Sequence, residues 1–242
     1  FNPATAQNVT DINTVNASSS GTVTIASING TAAILSNLTT DTSDPLTLTV
    51  NDTATVAQGK AIAGATSGTV DLSAGGVTDD LSNLRDGTSI HADLTTIKSK
   101  DADIIVTINT VTLSSAAEVS AINSIAGSLS GANRLKGTVT GTLALLDDLN
   151  AHSSLVNLDL TVSDATIASG SISNLNTVMA GTTGTVTATM ASMTSGNLTS
   201  LSTSDNQVSM TVSNKPGVEA ISGLVDRTNA TITFGDDITH SS

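Results

Sequence analysis

Internal repetition constrains this chain more than any other feature. Val9 through Ile25 (VTDINTVNASSSGTVTI) aligns without a gap on Ile172 through Ala188 (ISNLNTVMAGTTGTVTA). Asn13-Thr14-Val15 falls on Asn176-Thr177-Val178, and Gly21-Thr22-Val23-Thr24 on Gly184-Thr185-Val186-Thr187. A second pair, Asp52 through Gly59 and Asp164 through Gly170, matches with a one-residue shift. Two matches in the same order, each followed by another strand, are hard to obtain from biased composition alone. Self-similarity at a period of a few dozen residues is the signature of a repeat architecture.

The units contain strands. Gly21–Ile25, Leu46–Val50, Thr69–Leu72, Ile104–Ile108 and Thr138–Thr140 are β-branched and alternate apolar with polar residues. So are Leu158–Val162, Thr185–Thr189, Val208–Val212 and Ala230–Phe234. Such alternation predicts half-buried strands. Most neighbours lie roughly 21 to 26 residues apart. The gaps from Val70 to Val106 and from Val106 to Val139 are longer, and a weaker strand over Ala92–Ile97 is expected to split the first.

Short helices are expected between strands. Ser115-Ala116-Ala117-Glu118 is a capping box, with Val119, Ile122 and Ile125 following at helical spacing. Thr78-Asp79-Asp80-Leu81, Thr142 with Leu143, Leu146 and Leu149, and Pro216 with Val218, Ile221 and Leu224 suggest further helical turns. A strand that always follows a helical crossover must pair parallel to its predecessor. The expected fold is therefore a repeat solenoid of parallel β-strands alternating with short helices, like a leucine-rich repeat. An all-β solenoid is the alternative. Residues 1–242 are expected to form one continuous stack of about ten strand-containing units.

Composition agrees with a thin core. There are two Phe, no Trp and no Tyr, and the hydrophobic fraction is 38%. A wide globular core normally draws on aromatics. Net charge is -13 with only 8 Lys and Arg, so nucleic acid is not an expected partner. No run of about 18 apolar residues exists, so no membrane insertion is expected. Cysteine is absent, which excludes disulfides and thiol chemistry. The chain opens Phe1-Asn2-Pro3-Ala4, suggesting a mature product or a piece of a longer one.

Catalytic motifs are lacking. His91, His152 and His240 have no metal-ligand spacing, and there is no G-x-S-x-G elbow, Walker loop or G-x-G-x-x-G. The chain reads as non-enzymatic, with no catalytic residue and no cofactor. Calcium is the one ion for which loop oxygens offer candidates, at Asp41, Asp44, Asp101 and Asp103, against the alternative of solvated turns. The strings Gly75-Gly76-Val77-Thr78-Asp79-Asp80 and Gly235-Asp236-Asp237 do not fit a calcium-repeat loop. Glycosylation sequons occur at Asn8, Asn16, Asn29, Asn37, Asn51, Asn197 and Asn229, about as many as the abundance of Ser and Thr would give.

The phrases Asn51 through Ala57, Ser163 through Ala168 and Gly184 through Thr189 resemble repeats of giant adhesin-like and S-layer-like proteins of marine bacteria and cyanobacteria, and stretches of phage fibres. That resemblance implies an exported protein at the cell surface, or on a virion fibre, that coats, spaces or attaches. Its implied partners are further copies of itself and other surface or fibre components. A glycan-binding adhesin module is an alternative. So is ice binding. If the apolar strand positions face inward, Thr22, Thr24, Thr47, Thr49, Thr138, Thr140, Thr185, Thr187, Thr231 and Thr233 share an outer face. Regular Thr-x-Thr arrays resemble the ice-binding face of antifreeze solenoids, but Asp71, Asp159 and Ser209 interrupt the columns.

Overall fold

A computed structural model describes residues 4–131, 134–149, 156–193, 201, 207–212 and 232–234, with Val156, Ser169, 191–193 and the last two segments described by their backbone alone. The chain opens with α1 (Ala6–Ser18), β1 (Ile28–Gly30), α2 (Ala32–Leu35), β2 (Leu48–Val50), α3 (Val56–Gly64) and β3 (Val70–Asp71). Then follow β4 (Val77–Asp79), α4 (Leu81–Leu84), β5 (Arg85–Asp86), β6 (Ser89–Ile90) and α5 (Ala92–Lys100). Next come β7 (Val106–Thr112), α6 (Ala116–Ser128), β8 (Leu135–Gly141), α7 (Leu143–Asp147) and β9 (Val156–Val162). The described elements end with α8 (Ile172–Ala180), β10 (Val186–Met193), β11 (Gln207–Val212) and β12 (Ile232–Phe234).

The expected repeat solenoid is corrected here. The chain is a mixed α/β fold with separate sheets. β1-β2-β3 form a parallel three-stranded sheet, β12-β11-β10-β9-β8-β7-β4 a parallel seven-stranded sheet, and β5-β6 an antiparallel pair. Three local causes break the regular alternation. At Ser73–Gly76 the chain turns, with Gly76 at φ 67°, so that β4 leaves the first sheet and pairs with β7. A hairpin through Gly87, at φ 60°, is inserted after α4. Third, Ala92–Ile97 is the start of α5 and not a strand. Leu94 and Ile97 lie three apart on its buried side, and His91 Nδ1 accepts the Asp93 N–H at 3.1 Å as its cap. Lys98 and Lys100 suit its C-terminal end. The segment Gly21–Ile25 joins no ladder either.

Helix starts follow the sequence more closely. The box at Ser115 and Glu118 forms at the head of α6, with Val119, Ile122 and Ile125 buried. Thr142 caps α7, and Leu143, Leu146 and Leu149 are buried. Thr5 with Asn8 and Thr55 with Gln58 make two further boxes. Pro216 and its expected helix lie outside the described residues. The apolar core is one connected cluster of Val, Ile, Leu, Ala and Met from Ala4 to Leu201.

Candidate functional site: the threonine face, the carboxylate rows and a polar cleft

Two rows of polar side chains join neighbouring strand–helix units. In the first, the carboxylates of Asp52, Asp79 and Asp164 accept the first helical N–H of α2, α3 and α7. The bonds run from Ala32 at 2.6 Å, Val56 at 3.0 Å and Leu143 at 2.6 Å. Each acceptor comes from the following unit. A helix N-terminus offers free N–H groups and positive potential, so a carboxylate there is favourable.

The second row is buried. Thr66 Oγ1 takes the Leu46 N–H at 2.8 Å and the Gly68 N–H at 2.8 Å, and donates to the Leu46 carbonyl at 2.7 Å. Thr182 repeats this on Leu158 and Gly184, at 3.0, 2.9 and 2.7 Å. The glycine two residues on is required by packing. A Cβ at Gly68 would lie 2.2 Å from the Leu46 carbonyl oxygen, and one at Gly184 2.3 Å from that of Leu158. Asp44 and Asp101 serve in the same way, accepting the Val23 and Leu72 N–H groups at 2.7 Å each.

The four calcium candidates are thus used by the chain itself. Asp41 accepts from the Ser43 N–H and hydroxyl, which holds its carboxyl below the usual range. Asp44 also takes the Asp41 N–H at 3.0 Å. Burial pushes the Asp101 carboxyl up, against the opposing pull of the Leu72 N–H. Asp103 is held low by its hydrogen bond with Asp101 and then by Arg134, whose guanidinium lies 3.4 Å away. Among the described residues no three His, Asp or Glu side chains gather as a metal set.

The expected threonine face is only partly assembled. Thr22 and Thr24 are exposed on the unpaired segment, and Thr47 is exposed just before β2. Thr49 sits between Asn29 and Asp71. On the larger sheet Thr112, Thr140, Thr161 and Thr187 stand side by side, and the column ends at Gln207. The next column is broken, because Thr138 faces Asp159. Thr185 lies just before β10, and its N–H goes to Asp159 Oδ1 at 2.9 Å. Thr233 pairs with Thr211 by backbone register. Thr231 lies outside the described residues, as do His152, His240, Gly235 through Asp237, Asn197 and Asn229.

One cleft was not foreseen. It measures 370 Å³ and lies beside the head of α4 and the middle of β7. Its wall is built by four elements. Asp80 and Ser82 come from the start of α4, Arg85 from the inserted hairpin, Asn109 and Thr110 from β7, and Glu118 from the α6 cap. Asn109 and Thr110 form a β-bulge. Ile108 pairs with Gly137 and Val111 with Val139, so two residues of β7 oppose the single Thr138. Both bulge residues are exposed, where strict alternation would turn one inward. Gly137, at φ 138°, makes room, since a Cβ there would meet the Ile108 carbonyl oxygen at 2.3 Å. Asn109 Nδ2 donates to Asp80 Oδ1 at 2.8 Å, and Arg85 lies 3.7 Å from Glu118. Glu118 is held below its ordinary range first by the Ser114 N–H, with the Ser114 hydroxyl, Ser115 N–H and Arg85 adding to it. The hairpin left one trace in the sequence, the long gap between Val70 and Val106, and the bulge lies beyond it.

No protein-family model matches this chain, and no curated protein or solved structure matches it significantly.

Proposed function

We propose that the chain is a non-enzymatic, extracellular structural module that tiles or extends a surface layer, filament or fibre by contact with further copies of itself. What supports this reading is where the chemically capable side chains are used. Asp44, Asp52, Asp79, Asp101, Asp164, Thr66 and Thr182 each join one strand–helix unit to its neighbour. Such groups give stiffness and a defined unit-to-unit geometry, which is what a spacer needs. The net charge of -13 keeps a densely packed protein soluble.

The contact surface in this reading is the sheet end. β1 is an edge strand, and among the described residues its outer side meets the Ala4 N–H, donated to the Asn29 carbonyl at 2.6 Å. Edge strands are ready templates for another chain. Electron microscopy of the purified protein at rising concentration tests the proposal. Ordered strings or sheets of regular repeat are the expected image. Isolated particles of one size at every concentration would refute it.

A further inference from the structure

We infer that the cleft between α4, the β5–β6 hairpin, the bulge of β7 and the α6 cap is a low-affinity site for a neutral hexopyranoside. The inference does not depend on self-assembly, and either can fail alone.

The position comes first. The cleft lies just past the C-terminal end of β4, beside β7 of the same parallel sheet, and open parallel sheets place their ligand crevices beyond strand C-terminal ends. Two departures from regular structure then converge on it. The bulge sets two polar side chains next to each other, and the only antiparallel pair among the described strands brings in a cation. At α2, α3 and α7 the following unit caps the helix with an aspartate. Here Asn109 stands beside the head of α4 and bonds to Asp80, and the space in front is open.

The ligand class follows from the donors and acceptors. Asp80 and Asn109 each use one polar atom on the other, which leaves Asp80 Oδ2 and Asn109 Oδ1 as acceptors without a protein partner. The Ser82 and Thr110 hydroxyls have none either, and either donate or accept. Arg85 supplies donors beside them, with Nη1 held by the Gly87 carbonyl at 3.0 Å. Acceptors and donors lining one cleft suit hydroxyl groups, which do both. An anion is disfavoured by Asp80 and Glu118 together. A divalent cation is disfavoured by the guanidinium 3.7 Å from Glu118. The volume lies within the range of small-molecule sites. With Leu81 and half-buried Val111 as its apolar wall and no aromatic ring to stack on, the affinity is weak.

The test is a titration of the ¹⁵N-labelled full chain with methyl hexopyranosides (gluco, manno and galacto), followed by amide NMR. Concentrations reach about 50 mM, above the Kd of about 1–10 mM expected for a small ligand held by hydrogen bonds. Saturable shifts confined to residues 80–85, 109–111 and 118 with at least one sugar support the inference. Asn109→Ala, an exposed and foldable change, then weakens binding about tenfold or more, while Ser171→Ala, in a second cleft of 280 Å³ between the heads of α7 and α8, leaves it unchanged. No saturable shift with any sugar overturns the inference. So do equal shifts from glycerol, shifts that persist in Asn109→Ala, or a response to calcium chloride alone.

Discussion

At the residue scale, the buried hydroxyl of Thr66 shows how little polarity this core tolerates and how fully it is used. One oxygen satisfies the N–H groups of Leu46 and Gly68 and returns a proton to Leu46. Thr66→Val keeps the shape and removes the oxygen. The half-buried Gly68 N–H then loses its partner and the Leu46 N–H keeps only the Asp44 carbonyl at 2.9 Å, so the expected loss is about 1–2 kcal/mol by denaturant unfolding. Thr66→Ser retains the hydroxyl and should cost about 1 kcal/mol or less. Equal losses for the two variants would contradict this role. The sequence pairs Asp52 through Gly59 with Asp164 through Gly170, upstream of these two threonines, but the function of Thr66 and Thr182 was not legible in it. A threonine that replaces a backbone partner inside a core looks like any turn threonine until its burial is known. The calcium candidates illustrate the same difficulty. Asp44 and Asp101 are 2% and 7% exposed and hold backbone N–H groups, which residue type alone could not reveal.

At the scale of elements, capping was the most readable feature, because it depends on residues three apart. The box at Ser115 and Glu118 was plain in the sequence and formed as expected. Its carboxylate also fixes a pH dependence. Folding holds Glu118 below its ordinary value of 4.5, so its contribution to stability is present above that value and is lost as pH falls through the folded range. Glu118→Gln should therefore be less stable than the parent at pH 7, and the difference should shrink progressively as pH falls below 4.5. A difference that stays constant with pH would show that the carboxylate charge plays no part. Helix α5 was misread as a strand because Leu94-Thr95-Thr96-Ile97 carries β-branched residues. Its burial follows the spacing of three between Leu94 and Ile97, and the cap at His91 decides the matter. Bulges and short hairpins leave weaker signals, and both lie at the cleft.

The whole molecule departs from its sequence expectation where local breaks accumulate. The turn at Ser73–Gly76 and the Gly87 hairpin divide the strands into separate sheets. Parallel pairing of strands in chain order was implied by the strand–helix alternation, but the division was not, since each break depends on a glycine among many. That division also bears on ice. Of the ten threonines expected on one face, Thr47 and Thr49 stand with the smaller sheet, and Thr138 faces Asp159 on the larger one. Among the described residues a single column of four, Thr112-Thr140-Thr161-Thr187, is complete, and it is too narrow to order a plane of water. The purified protein is expected to show no thermal hysteresis. A clear freezing-point gap that disappears in Thr187→Lys would overturn that view.

The central claim is that copies of this chain associate through their sheet ends, and sedimentation velocity over a wide concentration range tests it most directly. The proposal requires species larger than the monomer that grow with concentration. They should persist when added salt screens the acidic surface, because edge pairing rests on backbone hydrogen bonds and not on charge. A single monomeric boundary at every concentration, at both low and high salt, would contradict it.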